Sequence, residues 1–164
     1  VPKYHERIEA YGTVDELMAQ TSMLRDLVQD HPIRQDLLTI LNIQMATASI
    51  LAADCVDCPA GIPVIGEKQV SFLEERIDEM DASLEPLTSF IIPGGGAAVS
   101  QAHIARTVCR RTERTIIRLA QEVNIQEDII HFYNRLSDYF FVLSRKIASL
   151  SGVRQEPWKP GLFE

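Results

Sequence analysis

Apolar residues in this chain recur with the 3.6-residue period of an α-helix, and almost nowhere with the period of two that a half-buried strand needs. The pattern is broken at Asp30-His31-Pro32, at the CPAGIPVIG stretch, at Pro93-Gly94-Gly95-Gly96 and after Leu150, where Pro and Gly end a helix. A chain of helical segments joined by short breaks can bury their stripes only against one another. The expected fold is therefore all-α, an up-and-down five-helix bundle. With 164 residues, 46% of them apolar, residues 1–164 have the size of one domain with a real core.

Local signals place the ends of the helices. Thr13-Val14-Asp15-Glu16 reads as a capping box, so a first helix is expected from about Thr13 to Val28, with Asp15 in its first turn. There the Asp15 carboxylate would complement the helix N-terminus. Pro32 suits the first position of a second helix, whose buried stripe is expected to run through Ile33, Leu37, Ile40, Leu41, Met45, Ala48 and Leu51. A third helix is expected over about Glu67 to Ala82, a fourth over Ala97 to Glu122 and a fifth over Glu127 to Leu150, followed by an irregular tail.

Charge and composition narrow the class of partner. The net charge of −7 speaks against a nucleic-acid surface, while local arginines leave room for a discrete anion site. No run of eighteen apolar residues suggests a membrane span, and no signal-like segment precedes the first helix, so a soluble cytoplasmic protein is expected. Cys55 and Cys58 form a C-x-x-C pair, but no second pair stands at zinc spacing and no βαβ context suggests redox chemistry. They read as reduced thiols near a helix end, and no metal site is expected.

On the fourth helix Ala105, Val108, Cys109, Thr112, Ile116 and Leu119 share one face, and His103, Arg106, Arg110, Glu113 and Arg114 share a neighbouring one. Arg111 and Arg118 point elsewhere. Arginines at i, i+4 and i+8 repel one another unless something negative lies across them. That face either binds an anion or is neutralised by carboxylates of adjacent helices. On the fifth helix Asn134, Asp138, Phe141 and Arg145 form a polar stripe with an aromatic in it, opposite Phe132, Leu136, Leu143, Ile147 and Leu150. Such a seam suits a binding site or a subunit interface, with Asn134 offering a donor and an acceptor and Phe141 a flat apolar face. PGGG is no P-loop, because no Gly-Lys-Ser/Thr follows, and Glu127 with His131 lacks the spacing of a di-iron bundle.

Three segments taken together, RIEAYGTVDEL, FIIPGGGAAVSQAHIARTVCRRTER and YNRLSDYFFVLSR, resemble the motifs of the PduO-type ATP:corrinoid adenosyltransferases in order and placement. The resemblance covers most of the chain and is weakest between about Ile33 and Ser89. It implies a homotrimer with sites between subunits, and transfer of the 5′-deoxyadenosyl group of ATP to cob(I)alamin with release of triphosphate and a need for Mg²⁺. By position, Arg110, Arg111, Glu113 and Arg114 match the ATP-binding segment, Asn134 an asparagine that contacts ATP, and Lys3 a lysine near the phosphates. Asp15 and Arg106 match a salt bridge between subunits. Phe90 and Phe141 match aromatics lining the corrinoid pocket, and Phe90 would belong to the wall that displaces the lower axial ligand of Co(II).

The resemblance also makes an adenosylcobalamin-dependent enzyme the expected client of the product. The family's glycine- and threonine-rich N-terminal segment does not occur in this sequence, which opens on Val1, and it is expected to belong to the encoded protein. Two other classes fit parts of the pattern: a non-catalytic nucleotide sensor that keeps the arginine face, and a structural trimer whose seams pair charges.

Overall fold

The computed structural model describes residues 3–53, 61 and 63–163, without the side chains of Lys3, Tyr4 and Phe163. Five α-helices follow in order, α1 (Lys3–Leu27), α2 (His31–Ala52), α3 (Glu67–Asp81), α4 (Ala97–Ala120) and α5 (Glu127–Leu150), with a 3₁₀ turn at Pro160–Phe163. Among the described residues the only β-pairing is an isolated bridge between Ile91 and Pro157. The chain is all-α, as its periodicity predicts. Cys55, Cys58 and the Lys3 side chain lie outside what is described.

α4 lies between α1 and α5, α2 packs on α1, and α3 packs on α5. Arg76 of α3 reaches Asp36 of α2 at 3.3 Å and so joins the two outer helices. The core is formed by Leu17, Leu24, Leu37, Ile40, Ile116 and Leu119 with Phe132, Tyr133, Tyr139 and Phe140, all fully buried. Burial of this apolar surface is the main stabilising contribution.

The first helix departs from expectation. It begins about ten residues before Thr13, which sits inside it and donates from Oγ1 to the Glu9 carbonyl at 2.6 Å. Asp15 is therefore well inside α1 and not at its N-terminus. Packing overrides the capping-box signal at Thr13: Ala10, Val14 and Leu17 are buried on one face. Arg7 also ties this early stretch down by donating to the carbonyls of Leu51 and Ala53 at 2.7 and 3.2 Å, at the α2 C-terminus.

The second helix begins as expected, with Asp30 accepting from the Ile33 backbone N–H at 3.1 Å and Pro32 in its first turn. Its buried stripe is rotated relative to the expected one. Gln44 and Thr47 are buried, Leu41 and Ala48 only partly so, and Met45 is exposed. Two polar side chains are tolerated there because Gln44 donates to Thr21 Oγ1 at 3.0 Å and Thr47 donates to the Ile43 carbonyl at 3.0 Å. At the end of α5, Leu150 is exposed and does not join the core.

Candidate functional site

The glycines of PGGG serve the backbone. Gly94, Gly95 and Gly96 have φ of 128°, 107° and 151°, a succession that residues with a Cβ rarely adopt. They turn the chain sharply from Phe90-Ile91-Ile92 into the first turn of α4, where Gly96 is the N-cap. The C-terminal tail then crosses this segment. Ile92 N–H donates to the Glu156 carbonyl and Trp158 N–H to the Phe90 carbonyl, both at 2.7 Å. The Trp158 ring tilts against that of Phe90 at 6.1 Å. Phe90 is held by its backbone yet leaves its ring 78% exposed, an expensive arrangement for an aromatic unless something covers it.

Phe90 lines a concavity of about 600 Å³ together with Leu87, Ile91, Pro93, Phe141, His103 and Arg106. Its walls are mainly apolar, with one cation at the edge. Arg106 is half-buried, and burial, with the nearby Arg110 charge, holds its guanidinium below the usual arginine range. Its Nε donates to His103 Nδ1 at 3.3 Å. The sequence places His103 on the polar face of α4, but it is only 5% exposed, because Phe141 packs its ring at 6.3 Å and Gln155 of the tail reaches its Nε2 at 3.4 Å.

Further along α4 stand Arg110 and Arg114, one and two turns beyond Arg106 at ~6 Å per four residues. Both are exposed, and neither forms an ion pair or side-chain hydrogen bond among the described residues. Glu113, between them, accepts from Asn134 Nδ2 of α5 at 3.1 Å, and Asn134 Oδ1 in turn accepts from Arg135 at 2.6 and 3.2 Å. Arg110, Glu113, Arg114 and Asn134 thus form one neighbourhood. Arg111 does not join it: its Nη2 is 2.7 Å from Glu16 of α1, a pair that lowers the Glu16 pKa through its hydrogen bond and raises that of Arg111. Arg118 lies 3.8 Å from Glu6 of α1. Carboxylates of the adjacent helix therefore neutralise two arginines of α4 and leave Arg110 and Arg114 uncompensated.

The rest of the α5 stripe divides between these neighbourhoods. Phe141 faces the concavity, and Asp138 lies 3.4 Å from Arg135. Arg145 bonds the Glu85 carbonyl and lies 3.9 Å from Asp81, which fastens the segment before Phe90 to α5. Asp15 is exposed on α1 and has no ion pair with Arg106 or any other described residue of its own chain. Cys109 is fully buried and donates to the Tyr133 carbonyl at 3.3 Å, and burial pushes its thiol pKa well up, which suits a packing residue. Among the described residues no three His, Cys, Asp or Glu side chains are grouped to hold a metal ion.

Sequence reasoning missed the burial of His103, and Gln155, Trp158 and Arg135 altogether. The first three depend on the return of the tail across α4, and a single tryptophan in an irregular tail is the only signal that hints at it. Arg135 carries no periodic signal that separates it from an ordinary surface arginine.

Comparison with known proteins follows the same lines. The family model for cobalamin adenosyltransferase matches residues 1–147. The corrinoid adenosyltransferase PduO of Salmonella typhimurium is 40% identical over 145 residues, which are 88% of this chain and 43% of that protein. The corrinoid adenosyltransferase of Bacillus subtilis is 36% identical over 156 residues, 90% of this chain and 77% of the relative. The chain thus spans less than half the length of the Salmonella protein. A variant PduO-type ATP:corrinoid adenosyltransferase of Lactobacillus reuteri, solved with cobalamin and ATP, superposes with a TM-score of 0.88 at 31% identity, over 97% of this chain and 89% of that one. No helix among the described residues is long and apolar enough to cross a membrane. The chain belongs to the cobalamin adenosyltransferase family.

Proposed function

We propose that this chain transfers the 5′-deoxyadenosyl group of ATP to cob(I)alamin, with release of triphosphate, at a site with two halves. The observation that carries this reading is the continuity of α4: an exposed aromatic concavity at its start passes through Arg106 into an uncompensated arginine pair. Phe90 and Phe141 suit the flat apolar face of a corrinoid, and Arg110 and Arg114, with Glu113 and Asn134, suit the polyphosphate and ribose of ATP. The L. reuteri neighbour was solved with cobalamin and ATP, which supports the reading that this chain takes the same two substrates.

The chemistry asks little of protein nucleophiles. Co(I) attacks the ribose C5′, the cobalt–carbon bond forms, and the C5′–O bond breaks, its electron pair leaving with triphosphate. The reaction needs no activated serine, thiolate or base from the protein, because the cob(I)alamin substrate is itself the nucleophile. The protein aligns the two substrates and stabilises the developing charge on the leaving group, which falls to Arg110, Arg114 and the Lys3 that opens α1. Mg²⁺ would neutralise part of the triphosphate charge, and such an ion is commonly bound through substrate phosphates and one or two carboxylates. Glu113 is the carboxylate best placed to serve it.

The concavity is much smaller than a whole cobalamin, which favours a site completed by another copy in a homotrimer. Asp15 is exposed and unpaired within its chain, and Arg106 keeps its terminal nitrogens available, so an intersubunit Asp15–Arg106 pair is chemically suitable. Ile8 and Tyr11, at i−7 and i−4 from Asp15, are exposed on the same face of α1 and suit such an interface. The product, adenosylcobalamin, would serve a dependent client enzyme.

The test mixes the protein with ATP, Mg²⁺ and chemically reduced cobalamin and follows the visible spectrum and triphosphate release. Formation of adenosylcobalamin that requires ATP is the expected result. Binding of ATP without turnover would point to a sensor, and absence of both to a structural assembly.

A further inference from the structure

Three contacts converge on the His103 ring, each from a different part of the site. Arg106 Nε donates to Nδ1 at 3.3 Å, the Phe141 ring meets it edge-on at 6.3 Å and 68°, and Gln155 of the tail lies 3.4 Å from Nε2. A neutral imidazole has one donor and one acceptor nitrogen, and arginine has no acceptor. Nδ1 must therefore be the unprotonated nitrogen. The ring proton then sits on Nε2, which faces the Gln155 amide Nε2 at 3.4 Å, and it is donated to Gln155 once that amide is assigned with its oxygen toward the ring. A doubly protonated ring would lose this acceptor and set a second positive charge against Arg106. Burial, and then the Arg106 charge, disfavour that form.

The partners of this ring define the concavity. Arg106 and Phe141 line it, and the residues that follow Gln155 hold Phe90 in place through the Glu156 carbonyl and the Trp158 N–H. A buried, doubly hydrogen-bonded ring at such a junction restricts all three neighbours at once.

We propose that neutral His103 is the positioning residue of the corrinoid half of the site, fixing the Arg106 guanidinium, the Phe141 ring and the Phe90-bearing tail contact in one arrangement. The inference rests on reading the concavity as the corrinoid side. His103 acts through its neighbours and touches no reacting atom. The ATP half, about two to three turns further along α4 and across on α5, makes no contact with it, so loss of His103 should be felt by the corrinoid alone.

The test compares steady-state kinetics of the purified chain with His103→Leu and His103→Asn. Asparagine keeps a carbonyl oxygen able to accept from Arg106, whereas leucine keeps volume without an acceptor. Leaving the Arg106 donor unmatched should raise the KM for cob(I)alamin about tenfold in His103→Leu, with the KM for ATP within about twofold of wild type. His103→Asn should recover to within about threefold. Equal behaviour of the two variants, or an ATP KM that rises in step, overturns the proposal. If the wild-type chain does not adenosylate cobalamin, the functional reading fails, and ¹⁵N NMR of the imidazole decides the His103 inference separately. Unprotonated Nδ1 and protonated Nε2 at neutral pH are expected, with that preference lost in Arg106→Leu. A protonated Nδ1 in the wild-type chain overturns it.

Discussion

Asn134 Nδ2 donates to Glu113 Oε2 across 3.1 Å, tying the middle of α5 to the α4 face on which Arg110 and Arg114 stand exposed. The same asparagine accepts from Arg135 through its Oδ1, so one side chain ties together an anion and a cation beside the ATP half. Asn134→Ala releases Glu113 and Arg135 together. A hydrogen bond to a charged group contributes ~1.5–3 kcal/mol, so the KM for ATP should rise about tenfold or more. The KM for cob(I)alamin should hold. Steady-state kinetics with each substrate varied in turn would show it, and an unchanged ATP KM would remove Asn134 from the site.

Gly95 bears a double constraint. Its φ is 107°, and a Cβ added there would meet Val153 Cγ1 at 3.0 Å, where the tail crosses the loop. Gly94 shares the positive φ, at 128°, but a Cβ would meet nothing within 4 Å. Gly94→Ala should therefore lose only the backbone strain, roughly 1–3 kcal/mol. Gly95→Ala should lose about 1 kcal/mol more, because tail and loop are pushed apart. Urea unfolding measures both, and equal losses would mean that the tail does not press on the loop.

His103 predicts an acid limb in stability. Its folded pKa lies below the ordinary value of 6.5, mainly through burial and then through the Arg106 charge. The unfolded chain takes up a proton near that value while the folded chain does so only at lower pH, so between the two the unfolded state binds more protons. The His103 contribution is thus full above about pH 6.5 and falls away as the pH drops through the folded pKa. His103→Asn cannot titrate, and the difference in unfolding free energy between it and the wild type should shift in its favour below pH 6.5. A constant difference from pH 5 to pH 8 would show that the ring is not held neutral.

The bundle was legible in the sequence because three of its breaks are chemically unambiguous. Asp30 with Pro32, Gly96 and the turn before Glu127 place the starts of α2, α4 and α5. The start of α1 was not legible, since the Thr13-Val14-Asp15-Glu16 capping-box pattern signals a helix start that the burial of Ala10, Val14 and Leu17 overrides. The α2 stripe failed for a related reason. Gln44 is polar by composition but is buried once Thr21 supplies its partner, and only the packed bundle shows that partner.

The two halves of the site differ in the same way. Arg110, Glu113 and Arg114 share one face of α4 by helical spacing alone, whereas Asn134 of α5 was joined to them through the family motif and meets them in the fold through Glu113. Arg111 obeys the same spacing rule in the opposite sense: it points to α1 and is taken by Glu16. The burial of His103 depends on a tail that returns over α4 from more than fifty positions away in sequence, and no local period encodes that contact. Phe90 was found through the family motif, while its support by Trp158 and Glu156 belongs to the folded chain alone.

The division of α4 into a corrinoid end and a phosphate end is tested most directly by kinetics of Phe90→Ala and Arg110→Ala side by side, with ATP and cob(I)alamin each varied. Removing an exposed guanidinium that meets a phosphate should raise the KM for ATP about tenfold in Arg110→Ala. Phe90→Ala should slow adenosylation about tenfold, a barrier increase of ~1.4 kcal/mol, with the KM for ATP unchanged. Equal loss of ATP binding in both variants would contradict the account.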